Sequence, residues 1–271
     1  MRRVLIIIFT FSFLLSGCNS PFVRSADTVT KREFIAFEEW SIPNYFIPKR
    51  LRVVGLGDSL TQGVGDELKW EGYFGRLTNE MNEWKGVKDV KADNLAKRGR
   101  RSDQLIKQLE DAEIQAVVKS ADVILITIGG NDIMRIVKKN LFDLRVGLFY
   151  DELKKFENRL DELYGVIRDL NGDAIIGLSG LYNPFTIVTD EANDFENIIE
   201  DWNEAIEVRT VLDQKSCFVP VTDLFNSNAM MVYHTDFFHP NAKGYDSMTK
   251  RFQEKFAQCD LKTKSDGQLD M

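Results

Sequence analysis

Histidine and cysteine are scarce in this chain of 271 residues, which contains two histidines and three cysteines. Neither an HExxH pair nor a pair of cysteines at zinc-ligand spacing occurs, so a zinc site is not expected. Gly55 and Gly57 could open a dinucleotide fingerprint, but its third glycine would fall at Leu60, and no Gly-Lys-Ser/Thr of a P-loop is present. The sequence therefore predicts chemistry without a metal or nucleotide, and we expect no cofactor.

An excess of basic residues is also missing. The formal net charge is −7 and the pI is near 5.1, which disfavours nucleic acid as a partner because phosphate binding needs a basic face. The main basic cluster is the short run 97–101, KRGRR, which has no interleaved aromatic residues. We expect no nucleic-acid partner.

An apolar run long enough for a comfortable transmembrane helix is absent too. Two arginines precede the apolar run Val4 to Leu15, and small residues follow it, which is the layout of a secretory signal peptide over residues 1–17. The next residues, Leu15-Ser16-Gly17-Cys18, resemble the bacterial lipobox, which implies that Cys18 carries lipid and holds the protein on the outer face of the cell membrane. The alternative is an ordinary signal peptide followed by a chance cysteine. Residues 18–50 would then form the lipidated cysteine, a tether and a surface segment.

From residue 51 onward, short apolar segments alternate with longer segments whose apolar residues are spaced by three and four. Strands are predicted at Leu51–Leu56, Val87–Ala96, Asp122–Ile128, Ala174–Leu178 and Cys217–Val221. Helices are predicted at Trp70–Trp84, Ser102–Ser120, Phe149–Leu170, Asp194–Leu212 and Asn241–Phe256. Continuous apolar strands between helices are typical of a parallel sheet covered on both faces. We predict one α/β domain over residues 51–258 and a polar C-terminal tail over 259–271.

Polar residues follow the predicted strands at the edge where such sheets bind ligands, beyond the carboxyl ends of the strands. Ser59 follows the first strand, Gly99 the second and Asn131 the third, while Asp236 and His239 precede the last helix. The topology therefore brings these five residues to one edge of the sheet.

Ser59 has two interpretations. The sequence Ser59-Leu60-Thr61-Gln62 fits a capping box, in which a serine and a glutamine satisfy free N–H groups at a helix start. A nucleophilic serine instead needs a base, an acid that orients the base and donors for the oxyanion.

His239 is the better candidate for the base, because Asp236 lies three residues before it and can fix the tautomer of its ring. His234 is the rival, but the corresponding position before it is Met231. A purely structural reading of His239-Pro240 is also open, since proline is common in the first turn of a helix.

Two residues offer donors for an oxyanion. Asn131, in GGND, carries a side-chain amide directly after a buried strand, and Gly99, in NLAKRG, allows its backbone N–H to approach a ligand. Each signal alone is weak, since loops after strands are often rich in glycine and asparagine.

Four sequence blocks, GDSLTQG, NLAKRG, GGND and DFFHP, occur in this order and resemble the four blocks of the SGNH (GDSL-type) serine hydrolases. The similarity covers roughly residues 51–256, and GLYNPF at 180–185 is similar to the thioesterase and lysophospholipase-like branch. The resemblance implies a flavodoxin-like α/β/α sandwich. It also implies that Ser59 is the nucleophile, His239 the base and Asp236 its orienting acid, and that Ser59, Gly99 and Asn131 form the oxyanion hole.

The resemblance implies a membrane-anchored extracellular esterase that cleaves carboxylic esters or thioesters through an acyl-enzyme. The expected substrates are small acyl esters or lysophospholipids. An esterase that removes acetyl groups from cell-wall glycans would use the same site with another pocket. A non-catalytic surface lipoprotein that keeps the fold as a scaffold is a third reading, against which the full set of site residues argues.

Two further features have alternatives. Residues 133–150, rich in Leu, Phe and Val, could shape an acyl pocket, although a core-facing helix is favoured. Cys217 and Cys259 form either a disulfide, as an exported protein allows, or two separate buried thiols. The sequence has no long apolar lid segment of the kind found in interfacial lipases.

Overall fold

Five parallel strands form one sheet in the order β2-β1-β3-β4-β5. The structure is a computed structural model, and it describes residues 47–184, 193–226, 232–236 and 238–271. The strands are β1 (Lys49–Gly57), β2 (Val87–Asn94), β3 (Val123–Thr127), β4 (Ile175–Ser179) and β5 (Ser216–Val219). This strand order is that of flavodoxin-like doubly wound folds, so the predicted fold class is confirmed.

Helices cover both faces of this sheet. They are α1 (Ser59–Gln62), α2 (Gly72–Glu80), α3 (Ser102–Gln108), α4 (Ala112–Lys119), α5 (Gly130–Lys139), α6 (Val146–Leu170), α7 (Asn193–Val211), α8 (Thr222–Asn226), α9 (Ala242–Gln258) and α10 (Leu261–Lys264). A 3₁₀ turn at Met81–Glu83 follows α2.

Successive residues of each buried strand point to opposite faces of the sheet, so the strands feed two separate apolar cores. Ile124 and Ile126 of β3 pack with α6 and α7, whereas Val123 and Leu125 pack with α2 and α9. The central strands are buried on both sides, which explains why their sequences are continuously apolar.

The predicted helix 102–120 is wrong as a single element. It is two helices, α3 and α4, separated at residues 109–111. The Asp111 carboxylate accepts hydrogen bonds from the N–H groups of Glu113 and Ile114, and so caps a new helix start. The apolar spacing continues across the break, which is why periodicity alone predicts one helix.

The segment 259–271, expected as a polar tail, packs onto the domain. Leu261 and Leu269 are buried in the same core as α2 and α9, and Asp270 pairs with Lys85 beyond the 3₁₀ turn. The rest of the segment is mostly polar, and two leucines eight residues apart form no helix or strand pattern. The sequence therefore does not reveal this packing.

Cys217 and Cys259 form a disulfide, which selects one of the two alternatives left by the sequence. The bond joins β5 to the end of α9. It lies toward the amino edge of the sheet, because α9 runs away from the residues at the carboxyl edge.

The predicted signal peptide (1–17), Cys18 and all of segment 18–50 up to residue 46 lie outside the described residues. Within the part of the chain that the structure describes, no helix is both long enough and apolar enough to cross a membrane.

Candidate active site

A tight turn at the end of β1 presents Ser59. Gly57 has a φ of +106°, and a Cβ at this position would lie 1.9 Å from the carbonyl oxygen of Thr127 in the neighbouring strand. Only glycine fits here. The chain therefore leaves the sheet sharply, and Ser59 begins α1 directly above the strand ends.

Asp58, not Ser59, caps α1, so the capping-box interpretation of residues 59–62 is wrong. The Asp58 carboxylate accepts a hydrogen bond from the N–H of Leu60. The Gln62 side chain accepts instead from the backbone N–H of Arg98. The hydroxyl of Ser59 is therefore left for another partner.

The ring of His239 joins Ser59 to Asp236. Its Nε2 lies 2.9 Å from Oγ of Ser59, and its Nδ1 lies 2.6 Å from Oδ2 of Asp236. Because the ionised carboxylate only accepts, Nδ1 carries the proton, and Nε2 accepts the hydrogen bond from the serine hydroxyl. Asp236 is itself held in place, since its Oδ1 accepts from the backbone N–H groups of Phe238 and His239.

Burial and hydrogen bonding determine the protonation states of His239 and Asp236. Burial lowers the pKa of His239 below its ordinary value, although the Asp236 carboxylate acts in the opposite direction. Burial acts to raise the pKa of Asp236, but hydrogen bonds from the backbone and ring of His239 outweigh it and lower that pKa to about 2. At neutral pH the arrangement is therefore a neutral imidazole between a serine hydroxyl and a carboxylate, which is the form that can accept a proton.

His234 lies beside the series rather than in it. Its Nδ1 is 3.9 Å from Oδ1 of Asp236 and its side chain is partly exposed. Its backbone N–H donates to the carbonyl of His239, 2.7 Å away, which holds the loop together.

The side chains of Asn131 and Asp58 are neighbours beside the turn that carries Ser59. Nδ2 of Asn131 lies 3.5 Å from Oδ2 of Asp58, so the amide presents its N–H groups, rather than its oxygen, toward this side of the site. An amide held this way has a second N–H that can point at a developing oxyanion. Sequence reasoning missed this role of Asp58, although the acid directly before Ser59 was the available signal.

Asp58 is buried and hydrogen-bonded, and none of its bonds within the described residues comes from a basic side chain. Burial raises its pKa to about 6, opposed by hydrogen bonds from Thr127 and Leu60. The Thr127 hydroxyl donates to Asp58 and continues a buried chain through Thr61 to the hydroxyl of Tyr73. This chain fixes the carboxylate to strand β3 and to helices α1 and α2.

The loop after β2 brings Gly99 to the same edge. The N–H of Lys97 donates to the carbonyl of Gly57, and that of Arg98 donates to Gln62, so both ends of the serine turn hold the loop. Gly99 has a φ of +79°, which favours glycine. A Cβ there would have nothing within 4 Å, so the backbone conformation, rather than crowding, explains the glycine.

A buried ionic cluster ties this loop to α5. Asp132, fully buried, accepts hydrogen bonds from the N–H and hydroxyl of Ser102. Arg159 of α6 donates to Asp132, to Ser102 and to Glu152. The loop that carries Gly99 and the helix that carries Asn131 are therefore fixed relative to each other.

An apolar cavity opens beside Ser59 and Asn131. Its apolar walls include Ile133, Met134, Leu181, Tyr182, Phe195 and Ile199. Residues 133–150 thus divide between the two roles considered for them: Ile133 faces both core and cavity, Met134 lines the cavity, and Ile136 is core.

A serine, a histidine and an aspartate in hydrogen-bonded series, at the carboxyl edge of a parallel α/β sheet, define a serine hydrolase. The comparison with known families gives the finer assignment. The model of the GDSL-like Lipase/Acylhydrolase family matches residues 56–246, and the chain belongs to this family. It is an enzyme of the ester-hydrolysing type.

Two relatives in Bacillus match most of the chain. The uncharacterised protein YpmR of Bacillus subtilis is 38% identical over 201 residues, which cover 73% of this chain and 78% of YpmR. The spore germination lipase LipC of Bacillus licheniformis is 26% identical over 210 residues, covering 75% and 95% of the two chains.

Solved structures share the fold. The lipase Lip_vut3 from a goat rumen metagenome superimposes with a TM-score of 0.67 at 24% identity, covering 76% of this chain and 97% of that one. An acetyl-xylooligosaccharide esterase from Geobacillus, Axe2, gives a TM-score of 0.58 at 18% identity, covering 77% and 95%.

Proposed function

We propose that this protein is an exported, lipid-anchored serine esterase that cleaves esters or thioesters of apolar acyl chains, such as lysophospholipids. The observation that carries the proposal is the apolar cavity beside Ser59. A site for acetyl groups alone needs no apolar wall that extends from Ile133 to Ile199. Membership in a lipase/acylhydrolase family and the lipase named among the relatives support this substrate class.

The proposed reaction is supported by the contacts of Ser59, His239 and Asp236. The acyl chain lies in the cavity, Oγ of Ser59 attacks the carbonyl carbon, and Nε2 of His239 takes the hydroxyl proton. The Asp236 carboxylate stabilises the resulting imidazolium. The oxyanion is bound by the N–H groups of Ser59 and Gly99 and by the Asn131 amide. His239 then gives its proton to the departing alcohol or thiol, and water cleaves the acyl-enzyme by the same steps.

A panel of esters with one leaving group and acyl chains from acetyl to palmitoyl tests the substrate class, with acetylated xylan-type glycans assayed beside it. We expect kcat/KM for medium chains to exceed that for acetyl by about tenfold or more, since each buried CH₂ contributes about 0.8 kcal/mol. A preference for acetyl glycans would support the cell-wall acetyl esterase instead. No turnover of any ester, together with no labelling of Ser59 by a fluorophosphonate, would support the scaffold reading.

A cavity-filling variant gives the matched control. Met134 lies on the cavity wall and is not fully buried, so Met134→Trp fills the cavity without disturbing the core. We expect it to lower kcat/KM for long acyl esters by about tenfold or more, and to leave the acetyl ester within about twofold. An equal loss on both esters would show that the cavity does not hold the acyl chain.

The location is proposed from the sequence alone. The lipobox-like tetrapeptide that ends in Cys18 supports a lipid anchor on the outer face of the membrane. Cys18→Ser should release the protein from the membrane fraction, and mass spectrometry of the N-terminus should show acyl groups on Cys18 in the wild type. Wild-type protein without acyl groups would overturn this part of the proposal and leave the enzymatic part intact.

A further inference from the structure

An exposed apolar loop, residues 141–146, lies between α5 and α6. Phe142 is fully exposed at 101%, Leu141 at 66%, Leu144 at 43% and Val146 at 39%. Four large apolar side chains are thus exposed within six residues, and clustered exposed apolar residues mark interaction sites more often than singly exposed ones do.

The apolar loop lies near the carboxyl edge of the sheet, where Ser59 also lies. Helix α5 starts directly after the carboxyl end of β3, and α6 returns to end shortly before the amino end of β4. With 25 residues, α6 is about 37 Å long against about 17 Å for β4, so its first turns project past the carboxyl edge. Phe149 in these turns meets Phe195 edge-on at 5.6 Å, and Phe195 lines the acyl cavity.

Unpaired positive charge borders the apolar loop. Lys138 and Lys139 end α5, both exposed, and neither bonds to an acidic side chain in the described ranges. Within the loop, Asp143 is paired with Arg145 at 3.1 Å, so it does not cancel the lysines. Net positive charge at this point, in a chain of net charge −7, complements an anionic surface.

We propose that the apolar loop inserts into an anionic lipid bilayer, with Lys138 and Lys139 at the headgroups, and so places the cavity mouth at the lipid surface. Apolar side chains next to lysines are the combination that binds at the interface of anionic membranes. The proposal adds a docking surface to the proposed function, and its binding test does not depend on catalysis.

Sedimentation with unilamellar vesicles tests the proposal on the full chain. The vesicles are phosphatidylcholine with or without about 30% phosphatidylglycerol. We expect Leu141→Ser/Phe142→Ser to weaken binding by about tenfold or more, and Lys138→Gln/Lys139→Gln to weaken binding to the anionic vesicles only. The matched control is Val211→Ser/Leu212→Ser, which removes two apolar residues exposed at 75% and 72% at the end of α7. All variants share one N-terminus, so differences among them report the loop.

A local readout separates loop insertion from attachment through the N-terminus. Phe142→Trp should gain fluorescence that acyl-brominated lipids quench, above the signal of the native tryptophans, whereas Leu212→Trp should not. Equal vesicle binding by the loop variant and wild type, with no added quenching at 142, would overturn the docking surface. Vesicle binding by a wild type that hydrolyses no ester would instead overturn the proposed function and leave the docking surface supported.

Discussion

Nε2 of His239 lies 2.9 Å from Oγ of Ser59, although 180 residues separate the two in the chain. Ser59 is placed by the turn that Gly57 allows after β1, and His239 by the loop before α9. Neither placement depends on the other locally. The contact therefore exists only when α9 has packed against the sheet that contains β1.

Ser59 and His239 should act as a unit. We expect Ser59→Ala and His239→Ala each to lower kcat by about 10⁴ to 10⁶, and the double variant to be little worse than either. His234→Gln is the control, with a loss of less than about tenfold, because the ring of His234 is partly exposed and lies 3.9 Å from Asp236. Esterase assays with matched melting curves make the test. Loss of turnover in His234→Gln with retention in His239→Ala would reverse the assignment.

The acidic limb of the pH profile of kcat/KM should have a midpoint below the ordinary pKa of histidine. His239 must be neutral to accept the serine proton, so kcat/KM rises with pH through its pKa. Burial lowers that pKa, so we expect the midpoint below about 6.5, the ordinary value. The Asp236 carboxylate alone would raise this pKa, but burial outweighs it. Asp236→Asn should lower kcat by about 10⁴ and move the midpoint further down. A wild-type midpoint above about 7 would contradict this account.

Asp58 should act through Asn131. Asn131→Ala should lower kcat by about 10² to 10³ with little change in KM, since the amide acts on the transition state. We expect Asp58→Asn to lower kcat by about tenfold to a hundredfold, because the new amide cannot accept from Asn131 where Oδ2 does. The double variant should be no worse than Asn131→Ala alone. Independent, additive losses would show that Asp58 does not position Asn131.

Asp58 should also make folding pH-dependent. Its pKa in the folded chain is about 6, above the value of 3.8 it would have unfolded. Between those values the folded state binds more protons, so the free energy of unfolding falls as pH rises from about 4 to 6. The fall should reach up to about 3 kcal/mol and be missing in Asp58→Asn. Urea unfolding of both proteins across this range measures it, and parallel curves would contradict the prediction.

The Cys217–Cys259 bond should stabilise the fold without affecting catalysis. It closes a segment with a sequence separation of 42 residues, far from Ser59 at the opposite edge of the sheet. Cys217→Ala/Cys259→Ala should lose about 2–4 kcal/mol of unfolding free energy and keep kcat/KM within about twofold. Reduction of the wild type should give the same loss. Equal stability of oxidised and reduced protein would contradict it.

The central strands could be predicted because each is a run of consecutive apolar residues that are buried. Val123 to Ile126 are consecutive, apolar and buried, and Thr127 at the end of the strand is the first polar residue. Ser59, Gly99 and Asn131 could be placed at one edge because each follows a strand, and Asp236 and His239 because they precede the last helix at the same edge. The break between α3 and α4 could not, since the cap at Asp111 competes with an apolar pattern that runs on through it.

The hydrogen-bond partners of the polar side chains could not be predicted, for a different reason. Asp58, Ser59 and Gln62 can each cap or bond in several ways, and the choice depends on Thr127 and Arg98, which are distant in sequence. The same holds for Asp132, whose partner Ser102 lies 30 residues away. Hydrogen bonds between residues distant in the sequence determine how the polar side chains at this edge are used. A local sequence pattern does not show these bonds.

The packing of residues 259–271 also sets an order of assembly. Asp270 pairs with Lys85, and Leu269 joins a core formed mostly by residues far earlier in the chain. A chain that emerges N-terminus first must keep this part of the core open until residues 259–271 have emerged.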